Sequence, residues 1–287
     1  MNHTMKNSTL TYHEIYGQPD SFQAILDTLP EIEATLDEVF SEKYEQLIFT
    51  GCGTNIELSE TFEGINKRDD IYCVIFRGEG KGFMSGSDTG DFDAFDDSGL
   101  KTYEDADIRT VLAIENCKVP VICQIQGYVM GLGTCLAAAS DMIVAADDAY
   151  FGQPEVTICV CGGTGALRQL VPEKFMRYMA LTGKKIGVQK IAEFGQIYSV
   201  VPRDQVLDEA YALARQITAN YTRSVQCVKA AIKELVNRDS EKEYRIDCKQ
   251  THIMLKDPKR DEVLAAHNEM LRKKREAKER AAKEAAN

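Results

Sequence analysis

Five short runs rich in β-branched and aromatic residues limit most strongly what this chain can fold into. They are Gln46–Thr50 (QLIFT), Ile71–Arg77 (IYCVIFR), Val119–Gln124 (VPVICQ), Met142–Ala146 (MIVAA) and Ile197–Val201 (IYSVV). Amphipathic helical patterns lie around them: Ser21–Phe40, Ile56–Asn66, Ala106–Asn116, Gly133–Ala139, Lys174–Thr182 and Val188–Phe194. Short apolar strands alternating with helices predict an α/β fold with parallel or mixed pairing. Beyond Pro202 the pattern is helical throughout, over Val206–Ala219, Ser224–Asn237, Glu241–Leu255 and from Asp261 onward. Asp257-Pro258 separates the last two of these, since proline cannot continue a helix. Gly195 stands where a helix C′ residue belongs, ahead of a strand.

Composition narrows the function classes. Apolar residues make up 44% of the 287 positions, ample for a buried core. No run reaches the roughly 18 apolar residues of a membrane span, and the first residues lack the apolar stretch of a secretory signal. The nine cysteines form no CxxC pair and no His/Cys cluster, so a reducing, cytoplasmic setting is expected. A net charge of −11 argues against general nucleic-acid binding. One segment runs the other way, with seven Lys/Arg against three Glu from Arg272 to Glu284. It reads either as a solvated helical tail or as a surface for the anionic phosphates of CoA or RNA. The four histidines, His3, His13, His252 and His267, lie apart from the motifs below. Neither a Ser-His-Asp triad nor a metal site has a candidate constellation.

Glycines cluster at two junctions: Gly127, Gly131 and Gly133 after VPVICQ, and Gly162, Gly163 and Gly165 after TICVC. If both are strand–turn–helix junctions, they aim backbone N–H groups where negative charge is favoured, although glycine also serves plain close packing. Three pieces set in order are more specific. The first is Phe83-Met84-Ser85-Gly86-Ser87-Asp88, after IYCVIFR. The second runs from Pro120 through Gly127-Tyr128-Val129-Met130-Gly131-Leu132-Gly133 to Ser140-Asp141-Met142-Ile143-Val144-Ala145-Ala146. The third is Tyr150-Phe151-Gly152-Gln153-Pro154-Glu155. Together these resemble the crotonase (enoyl-CoA hydratase/isomerase) superfamily over about residues 56–275.

The resemblance implies a spiral ββα core over 56–202 and a helical C-terminal region over 203–287 that mediates homotrimer or hexamer contacts. It implies an acyl-CoA thioester substrate of lipid metabolism and isomerase or lyase chemistry. CoA would enter as part of the substrate, with no metal, redox cofactor, nucleic-acid or membrane partner. The thioester carbonyl would lie between the main-chain amides of Ser87 and Leu132. Gly86, Ser87, Asp88, Gly131, Leu132, Gly133 and Cys135 would line the substrate. An enolate forming on that oxygen gains from both donors, and removing one such donor typically costs about 2.7–4 kcal/mol. Leu132 stands where the family usually has glycine, so its backbone must adopt angles open to a side-chain-bearing residue. Of the two carboxylates that often face the substrate in this family, the second is Glu155. The first falls on Cys135, which reads as a small packing residue. Water addition generally uses both carboxylates, whereas one suffices to move a proton. Isomerisation is therefore favoured over hydration, with a decarboxylation or a ring reaction also open.

The first 55 residues depart from this pattern. Tyr12-His13-Glu14-Ile15-Tyr16-Gly17-Gln18-Pro19 and Leu47-Ile48-Phe49-Thr50-Gly51-Cys52-Gly53-Thr54-Asn55 resemble the opening of a sugar isomerase (SIS) domain, in which a GCGT-type turn binds sugar phosphate. The chain then reads as a join of two fragments, with QLIFT taking the place of a crotonase strand. Three functions stay open: a CoA-thioester enzyme, a catalytically impaired scaffold of the same fold, and a sugar-phosphate binding module.

Overall fold

The computed structural model describes residues 47–50, 55–87, 97–236 and 238–285. In chain order it opens with β1 (Leu47–Thr50), α1 (Asn55–Ile65), β2 (Val74–Gly78), α2 (Asp97–Glu115), β3 (Val121–Ile125), β4 (Tyr128–Met130) and α3 (Leu132–Ala139). Next come β5 (Met142–Ala146), β6 (Tyr150–Gly152), α4 (Thr164–Leu170), α5 (Glu173–Thr182), β7 (Ile186–Gly187), α6 (Val188–Glu193) and β8 (Ser199–Val201). Four helices complete the chain: α7 (Val206–Thr218), α8 (Thr222–Val236), α9 (Ser240–Leu255) and α10 (Arg260–Ala285). Short 3₁₀ turns cover Glu155–Ile158 and Arg203–Gln205.

The apolar strands assemble a five-stranded parallel sheet in the order β1-β2-β3-β5-β8. Central β3 is buried at every position, as a strand covered on both faces must be. The pleat sends alternate side chains to opposite faces. Val74, Phe76, Val121, Cys123, Ile125, Ile143 and Ala145 enter the larger core, against Phe62 of α1 and Leu136 of α3. Ile75, Ile122, Val144 and Ala146 enter a second core with Val206, Ala210, Leu213 and Ala214 of α7. So α7, the first C-terminal helix, closes the second face of the sheet. On the opposite side, α9 lies along α2 through Tyr244–Asp107, Arg245–Asp105 and His252–Glu104 contacts of 2.7, 3.0 and 3.0 Å.

The quoted strands and most helices match the sequence reading to within a few residues. Strand Leu47–Thr50 pairs with β2 residue for residue from Leu47↔Ile75, so these four residues of the QLIFT run occupy a place in the sheet. The predicted helix Ser21–Phe40, Asp88, and the sugar-isomerase-like residues other than this strand and Asn55 lie outside the described residues. Three features differ from expectation. Helix α2 starts at Asp97 rather than Ala106. The glycine-rich stretch after β3 is not a direct turn into helix, because β4 intervenes and joins a second sheet, β4-β6-β7. Finally, TICVC is not a strand. A 3₁₀ turn spans Glu155–Ile158, and Cys159 has a left-handed backbone with φ 57°.

Candidate active site

Two elements are brought together by backbone pairing. Phe83 N–H donates to Tyr128 O at 2.9 Å, and Met130 N–H donates to Met84 O at 3.0 Å, laying the 83–87 turn against β4. The turn is anchored from below by Phe83, whose ring meets Phe76 edge-on at 5.1 Å, with Phe62 edge-on to Phe76 at 5.8 Å. Such pairs contribute about 0.5–1.5 kcal/mol each beyond their burial.

Two glycines make the close approach possible. A methyl group on Gly86 (φ 96°) would lie 3.1 Å from Met130 O and 3.6 Å from Leu132 N. One on Gly131 would lie 3.5 Å from the Gly86 Cα, and Gly131 has φ 55° and ψ −123°, a region that side-chain-bearing residues rarely adopt. Gly131 takes up the unusual backbone, which leaves Leu132 free of it. Among the described residues Cys159 is the one non-glycine with positive φ, so the condition on Leu132 is met. Leu132 is the first residue of α3, and its N–H has no acceptor within the helix. Its side chain points into the larger core. Ser87 follows Gly86 directly and is half-buried.

Glu155 reaches this corner from the end of β6. A methyl group on Gly131 would lie only 2.9 Å from Glu155 Oε1, so the carboxyl faces the glycine that precedes the Leu132 amide. The buried Gln153 side chain holds it there, with Nε2 donating to Glu155 Oε1 and to Gly162 O, both at 3.1 Å. Gly163 leaves space for that amide, since a Cβ would fall 1.7 Å from Gln153 Nε2. Glu155 Oε2 is buried with no hydrogen-bond partner, as is Gln153 Oε1. Burial pushes the Glu155 carboxyl up to about 8, with Asp247 adding to the rise. A carboxyl poised near neutrality, with Oε1 against a glycine-lined corner and Oε2 without a partner, can take and return a proton.

Comparison with known proteins decides the family. The sequence profile described as enoyl-CoA hydratase/isomerase matches residues 52–277. The chain belongs to the enoyl-CoA hydratase/isomerase family. It is thus a crotonase-type acyl-CoA enzyme. A (7aS)-7a-methyl-1,5-dioxo-2,3,5,6,7,7a-hexahydro-1H-indene-carboxyl-CoA hydrolase of Rhodococcus jostii is 34% identical, over 67% of this chain and 74% of the relative. Carnitinyl-CoA dehydratase of Escherichia coli K12 is 30% identical, over 66% of this chain and 72% of the relative. The crystal structure of an enoyl-CoA hydratase from Bacillus anthracis superposes with a TM-score of 0.61 at 27% identity, covering 75% of this chain and 85% of that one.

Within this crotonase-type frame, Cys135 sits on α3 inside the core. Burial, reinforced by the nearby carboxylates of Glu155, Asp107 and Asp247, pushes its thiol well above the usual range. A thiol so held is neutral and a poor nucleophile. Asp141 orders the start of β3, its Oδ2 accepting from Val121 N–H at 2.7 Å and from Lys229 Nζ at 2.6 Å. The sequence reading missed Gln153 as a partner of Glu155, although it stands two residues before it in the quoted motif. It also missed Asp247, which α9 buries beside the 161–164 loop. No local pattern singles that residue out.

Proposed function

We propose that this enzyme carries out proton transfer through the enolate of an acyl-CoA thioester, with Glu155 as the sole carboxylate acid and base. In this mechanism the thioester oxygen lies between the Ser87 and Leu132 amides, and CoA is part of the substrate. Glu155 removes a proton next to the carbonyl, holds it while charge rests on the oxygen, and returns it to another carbon. The observation that carries the reading is the raised, half-free carboxyl of Glu155 packed against Gly131. With a buried thiol at position 135, double-bond isomerisation is the first reaction to test.

A specific observation favours a second reading. The Rhodococcus jostii relative is named as a hydrolase of a cyclic dioxo acyl-CoA. Addition of water to such a ring ketone, followed by carbon–carbon cleavage, would also leave a thioester enolate that Glu155 could protonate. The decisive assay follows straight-chain enoyl-CoA isomerisation and hydration beside turnover of a cyclic oxo acyl-CoA, with wild type and Glu155→Gln. Turnover of any class that Glu155→Gln abolishes supports the shared enolate step. Turnover that survives the substitution contradicts it.

The expected homotrimer or hexamer also has a surface to test. Val228, Ile232, Leu235 and Val236 form an exposed apolar row on α8, at 58%, 54%, 84% and 57% exposure. We propose that copies of the chain cover this row. Ile232→Asp with Leu235→Asp is expected to give monomers by light scattering, and an unchanged mass would refute the assignment.

A further inference from the structure

We infer that Asp247, on helix α9, is a positioning residue that fixes Glu155 through the 161–164 loop. This rests on Glu155 being the proton-transfer group. The connection is traceable bond by bond. Asp247 Oδ2 accepts from Thr164 N–H at 2.9 Å, while Oδ1 accepts from Thr164 Oγ1 at 2.5 Å and from Cys161 Sγ at 3.5 Å. One turn further along α9, Thr251 Oγ1 accepts from Cys161 N–H at 2.9 Å and donates to Cys161 O at 2.6 Å. Both ends of the loop are therefore fastened to one helix face. Between them, Gly162 O accepts from Gln153 Nε2, and the same nitrogen donates to Glu155 Oε1. Gly162 also packs on the acid directly, since a Cβ there would lie 3.3 Å from Glu155 Cγ.

The clamp is buried, which is why it can act as a fixed support. Asp247 and Thr251 are each 3% exposed, and Gln153 is 2% exposed. A buried carboxylate is tolerated only where its lone pairs are satisfied, and the Thr164 and Cys161 donors satisfy Asp247. Burial pushes the Asp247 carboxyl above its usual range, against the lowering effect of the Thr164 and Cys161 donors. In its ionised form its charge acts on Glu155 across the loop, in the direction that favours the protonated acid. Other ionisable groups share the surroundings. They include Cys135 from α3, Asp107 from α2, Arg238 just before α9, and Glu243, Tyr244 and Cys248 on α9. Arg238 and Arg168 pair with Glu243 at 2.9 and 2.5 Å, so Asp247 is the acid of α9 that is tied to the loop itself.

Two substitutions separate position from charge. Asp247→Ala releases the loop, and kcat is expected to fall about 10- to 100-fold with little change in KM, as misplacement of a catalytic group does. Asp247→Asn can still accept from Thr164 N–H, so kcat should stay within about threefold of wild type at its own optimum. Removing the charge should shift the pH–rate limb that belongs to Glu155 toward lower pH. Should Asp247→Ala fail to fold, the displaced limb in Asp247→Asn carries the test. Wild-type kcat in folded Asp247→Ala, or an unmoved limb in Asp247→Asn, overturns the inference. The parallel Glu155→Gln variant keeps the two ideas apart. If that variant is inactive while both Asp247 variants behave as wild type, the support role alone is wrong. If it is active, the proton-transfer role falls first.

Discussion

The amide corner and the carboxylate corner of this site are built in opposite ways. The first is made of main chain, where the 83–87 turn meets Gly131 and the N-terminus of α3. The second is a single side chain held by neighbours in sequence, Gln153 and the 161–164 loop, with that loop tied in turn to the distant Asp247 of α9. Main-chain donors are indifferent to the side chain they carry, so Leu132 can stand in a position given to glycine while Gly131 absorbs the positive φ. A side-chain acid has no such freedom. Its orientation and proton affinity depend on what surrounds it, and here burial is the main cause of the upward shift. The proposed mechanism therefore predicts that function survives side-chain substitution at one corner and not at the other.

The largest expected effect breaks the carboxylate corner. Glu155→Gln keeps the shape and the bond to Gln153 but cannot move a proton, and kcat should fall about 10²–10⁴-fold. Steady-state assays on whichever thioester the wild type turns over measure this. Next comes the glycine between the corners. Gly131→Ala places a methyl group 2.9 Å from Glu155 Oε1 on a strained backbone. It should lower kcat and cost on the order of 1–3 kcal/mol of stability, readable by chemical denaturation. An unaffected Gly131→Ala enzyme would show that the two corners do not meet there.

A third test concerns the cost of holding the acid. Unfolded, Glu155 ionises in the usual range near 4.5; folded, it does so near about 8. Between these values the unfolded chain has released a proton that the native state keeps. Its contribution to stability is therefore complete at low pH, falls as pH rises from about 5 to 8, and levels off above that. Glu155→Gln removes this dependence, so the substituted protein should exceed wild type in stability by a gap that widens across the same window. Thermal melts at several pH values measure it, and a constant gap would deny the raised affinity. The smallest effect on catalysis is expected at the other corner. Leu132→Ala should leave kcat nearly unchanged, because its amide remains. It should still lose about 2–5 kcal/mol of stability for the core volume removed.

The same division explains what was legible in the sequence. Met142–Ala146 forms the strand its residue types suggest, end to end, because a buried parallel strand needs a continuous apolar run and little else. Close approach at Gly86, Gly131 and Gly133 was suggested by residue type too, and a Cβ at each would meet a neighbour within 3.1 Å. β4 and β7 were invisible, being three and two residues long and held by pairing rather than by pattern. TICVC has strand-like residues but turns instead, because Glu155 O captures the N–H of Val160 at 3.0 Å and Cys159 goes left-handed. Asp247 could not be found at all. It looks like any exposed acid on an amphipathic helix until tertiary packing buries it against Thr164 and Cys161.

Hydrogen–deuterium exchange next to the thioester carbonyl tests the enolate and its acid together, whatever the final reaction. Saturated acyl-CoAs of increasing size, incubated in deuterated water, are read by mass spectrometry. Wild type should incorporate deuterium at the carbon beside the carbonyl, and Glu155→Gln should not. Exchange that persists without the carboxylate, or wild-type enzyme that exchanges none of them while turning over its own substrate, would contradict the mechanism.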